Sequence, residues 1–164
     1  MTASQHLTLS DELSRALERL LPACAPTSLV GLGVDIQDIA PFAALPFTPN
    51  RAFYERVFSE HERAYCLSCA EPAEHFAARF AAKEAVVKAF GTICVLSPVA
   101  VEILRLPYGA PTVRLSPEVS ALAGSGLRAY VSMAHCEAWA CAVAIVTRAE
   151  LAVSRGTEQE LPHV

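Results

Sequence analysis

The chain has 164 residues, 53% hydrophobic and 18% charged, with a formal net charge of −4. That composition excludes a disordered polymer and fits one domain able to bury its own core. The acidic balance excludes a general nucleic-acid binder, and no apolar run reaches the roughly 20 residues that cross a membrane.

The first fourteen residues hold no Lys or Arg and open no apolar leader, so a cytoplasmic location is the expectation. Residues 7–21 predict an amphipathic helix. Ser10 stands at the N-cap, Asp11 and Glu12 in the first turn, and Leu13, Leu17, Leu20 and Leu21 form a stripe ended by Pro22 and Pro26. Residues 1–27 therefore read as a helical extension, 28–148 as the domain proper and 149–164 as a polar tail.

Leu29–Ile36 predicts a strand with Val30, Leu32, Val34 and Ile36 on one face and Gly31, Gly33 and Asp35 on the other. Paired glycines weaken a strand, so they mark close approach by another backbone or a ligand. Asp35 ends that bare track, either capping the following turn or binding something. A dinucleotide fingerprint is excluded because Ile36 occupies its third glycine position. Residues 41–50 read as irregular and 51–58 as a short helix. Ser59 and Glu62 form a capping box for a helix reaching about residue 70. The six cysteines read as reduced small hydrophobes, and the single Cys66–Cys69 pair lacks the second half of a zinc site.

Glu74–Gly91 then predicts one long helix, with Pro72 in its first turn and Gly91 as its stop. On a helical wheel Glu84 and Lys83 fall among Phe76, Phe80, Val87 and Phe90, with Arg79 and Lys88 on the flanks. Ala78, Ala82, Ala85 and Ala89 occupy the opposite side. A helix apolar all round is buried, where a charge costs several kcal/mol unless paired or liganded. Glu84 and Lys88 can pair with each other, but three cations to one acid also suit an anionic ligand with a divalent cation on Glu84.

Beyond this helix the period becomes two. Residues 100–106 and 112–115 predict a hairpin about Pro107–Ala110, Ser116–Glu118 opens a short helix, and 127–135 and 138–147 predict a second hairpin whose last strand is central. The order is α+β, an antiparallel sheet packed on one long buried helix. A hydrolase built on Ser125 or Ser132 with His135 is excluded: no nucleophile elbow surrounds Ser125, and residues three apart on a strand face opposite ways. Trp139 reads as a core or interface residue rather than a base-stacking platform.

Gly31–Ile36 (GLGVDI), the run ERVFSEHERAY from Glu55 and the stretch RFAAKEAVVKAFG from Arg79 to Gly91 together resemble the holo-acyl-carrier-protein synthase family of 4′-phosphopantetheinyl transferases. Gly109-Ala-Pro111 and VSMAH at Val131–His135 are similar to later parts of that family. The resemblance implies the 4′-phosphopantetheinyl transferase fold and transfer of 4′-phosphopantetheine from coenzyme A to a serine of an acyl carrier protein, with release of 3′,5′-ADP. It implies Asp35 and Glu84 as Mg²⁺ ligands, and Asp35, Glu84 and Lys88 as the catalytic group. Arg79, Lys83 and Lys88 would face the coenzyme A phosphates, and His135 its 3′-phosphate. A homotrimer with shared sites is also implied. The alternative is a non-catalytic module of the same fold that binds coenzyme A or a carrier. Departures from the family are the absence of Lys and Arg over residues 37–50, a short segment at 92–99 and the two terminal additions.

Overall fold

The computed structural model describes residues 29–91, 93–122 and 126–148. The helix expected over residues 7–21 and the tail from 149 lie outside them. The elements are β1 (Leu29–Asp38), α1 (Ala40–Ala44), α2 (Arg51–Val57), α3 (Glu60–Ser68), α4 (Pro72–Phe90), β2 (Val101–Arg105), β3 (Pro111–Leu115), α5 (Pro117–Leu122), β4 (Leu127–His135) and β5 (Trp139–Arg148). Strands β1, β5 and β4 form an antiparallel sheet in that spatial order, with β5 central as expected, and β2 and β3 form a separate hairpin. The α+β architecture is thus the one anticipated, with its strands divided between two sheets.

Local chemistry explains most boundaries. The capping box at α3 is present in full: the Ser59 hydroxyl accepts from the Glu62 N–H, and the Glu62 carboxylate accepts from the Ser59 N–H. The 41–50 stretch expected to be irregular instead holds α1 and a 3-10 turn at Thr48–Asn50. Asp38 Oδ1 accepts from the Ala40 N–H, and Pro41 sits in the first turn, where a missing N–H costs nothing. Gly91 ends α4, but with φ −55° it stays right-handed. The chain turns away through Ile93 and Cys94, whose N–H groups both donate to the Phe90 carbonyl.

The core has two parts. Ala81, Ala82, Ala85, Val86, Ala89 and Phe90 of α4 pack on Ala142, Ala144 and Val146 of β5 and on Val101 and Ile103 of β2. Phe42, Tyr54, Phe58, Cys66 and Phe76 close the other end around Ala140. The glycines of β1 face this core, and of its aliphatic residues only Val30, beside the register shift at the start of the strand, packs against it. Leu32, Val34 and Ile36 point outward, joined on the sheet's outer surface by Tyr130, Trp139, Val143 and Ile145, and Ile36 is 62% exposed.

Candidate active site

The site begins with the contact between β1 and α4. A Cβ placed on Gly31 would run into the Ala89 carbonyl, and one on Gly33 into the Ala85 carbonyl and the Ala89 amide. Only glycine against alanine lets the two backbones touch. Two residues of strand, about 6.8 Å, match four residues of helix, about 6 Å. The next inward residue of β1 is Asp35. It emerges at the edge of the seam, where Glu84 and Lys88 project from the turns carrying Ala85 and Ala89.

Lys88 Nζ donates to Asp35 Oδ1 at 2.7 Å and to the Val34 carbonyl at 3.0 Å. The other Asp35 oxygen accepts from Gln37 Nε2 at 2.6 Å. Lys88 therefore pairs across the seam with Asp35 rather than along the helix with Glu84. Burial, and then the neighbouring Asp35 carboxylate, push the Glu84 carboxyl above the usual carboxylate range, with Lys88 pulling part of the way back. The structure thus brings Asp35, Glu84 and Lys88 together at the end of the seam. Gln37, which the sequence reading passed over, sits two residues beyond Asp35 on the same strand face.

A second cluster lies toward the start of α4. Arg79 is 3% exposed, stacks 4.0 Å from the centre of the Tyr65 ring, and its Nε has no hydrogen-bond partner. Arg105 lies over the same ring at 5.9 Å. His135 Nδ1 is 3.4 Å from the Glu74 carboxylate, and its ring meets His75 edge-on at 5.6 Å. Burial, followed by Arg79 and His135, holds the His75 pKa below the usual imidazole value. Two guanidiniums and two imidazoles face one carboxylate, so the cluster carries unneutralised positive character. Tyr65, His75 and Arg105 were not singled out from sequence, because nothing local marks residues that meet only through the fold. Sheet register places His135 opposite Ala140 and Asp35 opposite Ala142. His135 and Asp35 are therefore two strands and two residues apart, roughly 12 Å.

Lys83, expected to face phosphates, is instead fully buried. Its ammonium pairs with Glu62 at 2.7 Å and donates to the carbonyls of Pro98 and Val101. Glu62 in turn accepts from the Ile103 and Ser59 N–H groups. With every donor directed inward, Lys83 fastens α4 to α3 and β2 and does not reach the cleft. Burial lowers its pKa, against the pull of Glu62.

The donor set suits a hard cation. No group of three or more His, Cys, Asp or Glu gathers as a metal cage among the described residues. Asp35 and Glu84 alone would leave positions for water and phosphate oxygens, the partial coordination that Mg²⁺ accepts.

The sequence of the 4′-phosphopantetheinyl transferase superfamily matches residues 31–144, and the chain belongs to that family. Among its curated relatives is the holo-[acyl-carrier-protein] synthase of Protochlamydia amoebophila, 42% identical over 118 residues, 71% of this chain and 96% of the relative. The holo-[acyl-carrier-protein] synthase of Geobacter sulfurreducens is 36% identical over 73% of this chain and 98% of the relative. Solved structures agree. The Neisseria meningitidis synthase superposes with a TM-score of 0.64 at 27% identity, covering 72% of this chain and 98% of that one. The Helicobacter pylori synthase, solved in complex with coenzyme A, gives 0.61 at 29% identity over 70% and 98%.

Proposed function

We propose that the Asp35–Glu84–Lys88 cleft is where coenzyme A is cut at its diphosphate and its 4′-phosphopantetheine passed to a carrier-protein serine, in a Mg²⁺-dependent step that releases 3′,5′-ADP. The chain is an enzyme of the holo-[acyl-carrier-protein] synthase kind, with coenzyme A as substrate and an acyl carrier protein as acceptor. The observation that supports the catalytic assignment is the glycine–alanine seam, beside which a strand carboxylate and a helix carboxylate come close enough to act on each other.

Phosphoryl transfer is governed by positioning and charge more than by covalent help. Mg²⁺ held by Asp35 and Glu84 would polarise the phosphate under attack and offset charge on the departing nucleotide. Lys88 brings an ammonium to the same diphosphate, and Gln37 fixes the orientation of Asp35. A carboxylate of the pair acting through water, or a water on the cation, would accept the serine proton. At the other end Arg79, oriented by its stack on Tyr65, and His135 hold the nucleotide's remaining phosphate. The unpartnered Arg79 Nε supports that role, since a buried donor left alone is costly.

The outer sheet face supports a homotrimer. Leu32, Val34, Ile36, Tyr130, Trp139, Val143 and Ile145 make a contiguous apolar surface of the kind that marks an association site. The acceptor is a carrier of fatty-acid or polyketide synthesis. With no Lys or Arg over residues 37–50, its docking around α1 is more apolar than ionic, or is directed at a specialised carrier such as a polyketide synthase domain. The domain over residues 28–148 carries the activity, in the cytoplasm. No helix among the described residues is long and apolar enough to cross a membrane.

The test is a carrier assay with coenzyme A and Mg²⁺, read as a mass gain of about 340 Da on the carrier serine. Wild-type protein gives the adduct, and Glu84→Gln, with an unchanged circular dichroism spectrum, does not. A Glu84→Gln protein keeping most of its turnover would refute the metal assignment. Absence of the adduct with every carrier would favour a binding module.

A further inference from the structure

We propose that Lys88 is the resting counter-ion of the acid pair, so that the cleft takes its divalent cation together with a diphosphate and resists the free ion. This rests on Asp35 and Glu84 being the cation's ligands.

Both Asp35 oxygens already have partners. Oδ1 holds the Lys88 ammonium at 2.7 Å and Oδ2 the Gln37 amide at 2.6 Å. The ammonium is seated rather than swinging, because the Val34 carbonyl accepts from it as well, at 3.0 Å. Its stem is open to solvent: the Lys88 side chain is 52% exposed while that of Asp35 is 10% exposed. A flexible chain of methylenes can therefore move its charged head without moving α4.

Charge then decides what can enter. Asp35, Glu84 and Lys88 together carry one net negative charge. A bare divalent cation reverses that sign and sets the displaced ammonium beside a like charge. A divalent cation arriving with a doubly charged diphosphate restores one net negative charge and gives the ammonium a new partner in the same cleft. The lysine that guards Asp35 in the free protein is thereby handed to the phosphate. Cation and diphosphate each raise the other's affinity by the same factor, as linkage requires.

The experiment is Mn²⁺ binding followed by electron paramagnetic resonance on the full chain, with and without coenzyme A. Wild-type protein should bind bare Mn²⁺ weakly and Mn²⁺ with coenzyme A at least tenfold more tightly. Lys88→Met should bind bare Mn²⁺ about 2- to 5-fold more tightly than wild type, the size of a partly exposed ion pair, and lose most of the coenzyme A enhancement. Arg148→Met, which removes an exposed charge at the far end of β5, should leave bare Mn²⁺ affinity unchanged. Equal tightening by Arg148→Met would mean a diffuse field effect and overturn the exchange. No tightening in Lys88→Met, with Mn²⁺ still bound, overturns the exchange and leaves the acid pair as cation ligands. Glu84→Gln binding Mn²⁺ like wild type, or no protein binding it under either condition, overturns that ligand assignment and the exchange with it.

Discussion

Gly33→Ala is the sharpest perturbation the structure offers. The added methyl would lie 2.7 Å from the Ala89 amide nitrogen and nearer still to the Ala85 carbonyl oxygen, where ordinary contact begins at 3.4 Å. The shortfall at the nitrogen alone, 3.4 less 2.7, is 0.7 Å. Neither obstacle is a side chain that can rotate away, so β1 must lift from α4. Overpacking of this kind costs about 2–3 kcal/mol, roughly 5–10 °C of melting temperature in a domain this size. Asp35 sits two residues on and moves with the strand. A misplacement near 1 Å in a positioned group costs about 100-fold in turnover. Gly31→Ala meets the Ala89 carbonyl just as hard but lies four residues from Asp35, so it should lose similar stability and much less turnover. Thermal melts and carrier-assay kcat on the two variants check this together. Gly33→Ala melting within about 1 °C of wild type at full turnover would refute the seam as the device that sets the site.

Further outcomes follow from the same contacts. Lys83→Met strands a buried carboxylate at Glu62 and should cost about 3–5 kcal/mol in urea unfolding while leaving KM for coenzyme A unchanged; a large rise in KM with little loss of stability would return Lys83 to the phosphates. Arg79→Lys forfeits the planar stack on Tyr65 and should raise KM for coenzyme A about 10- to 100-fold with little change in kcat, measured by steady-state kinetics. Ile36→Lys, on the outer face, should dissociate the assembly in size-exclusion chromatography with light scattering, and a variant of unchanged mass would show that the face is not the contact. Burial pushes the Cys66 thiol from the usual 9.0 up to about 12. Native protein then keeps a proton there that the unfolded chain gives up, so this group's contribution to stability falls as pH climbs from 9.0 toward about 12. At pH 8 an alkylating reagent should label the exposed Cys136 and spare Cys66 until the protein is unfolded, as mass spectrometry would read.

Much of the fold was legible because its signals are local. The capping box at Ser59, the long helix and the alternation of β4 and β5 each declare themselves within a dozen residues. The close approach at Gly31 and Gly33 was legible too, although only the structure identifies helix backbone as what approaches. Lys83 was not legible. Its partner Glu62 lies 21 positions upstream in another helix, and a buried pair and a phosphate ligand look alike in one dimension. The Arg79 surroundings were hidden for the same reason, since Tyr65, His75 and Arg105 come from three elements. α1 went unread because five residues give no periodicity, and its signals were one aspartate and one proline. The helix wheel placed Lys88 beside Glu84, and tertiary contact gave it to Asp35.

β1 inverts the habit of most strands, keeping its bare side inward and its greasy side outward. The same ten residues therefore serve two masters: one face meets the helix and carries an acid, and the other awaits a covering. If copies of the chain supply that covering, pulling them apart would loosen the very strand that aims Asp35. Specific activity should then fall on dilution well before the monomer unfolds, making the working enzyme a property of the assembly.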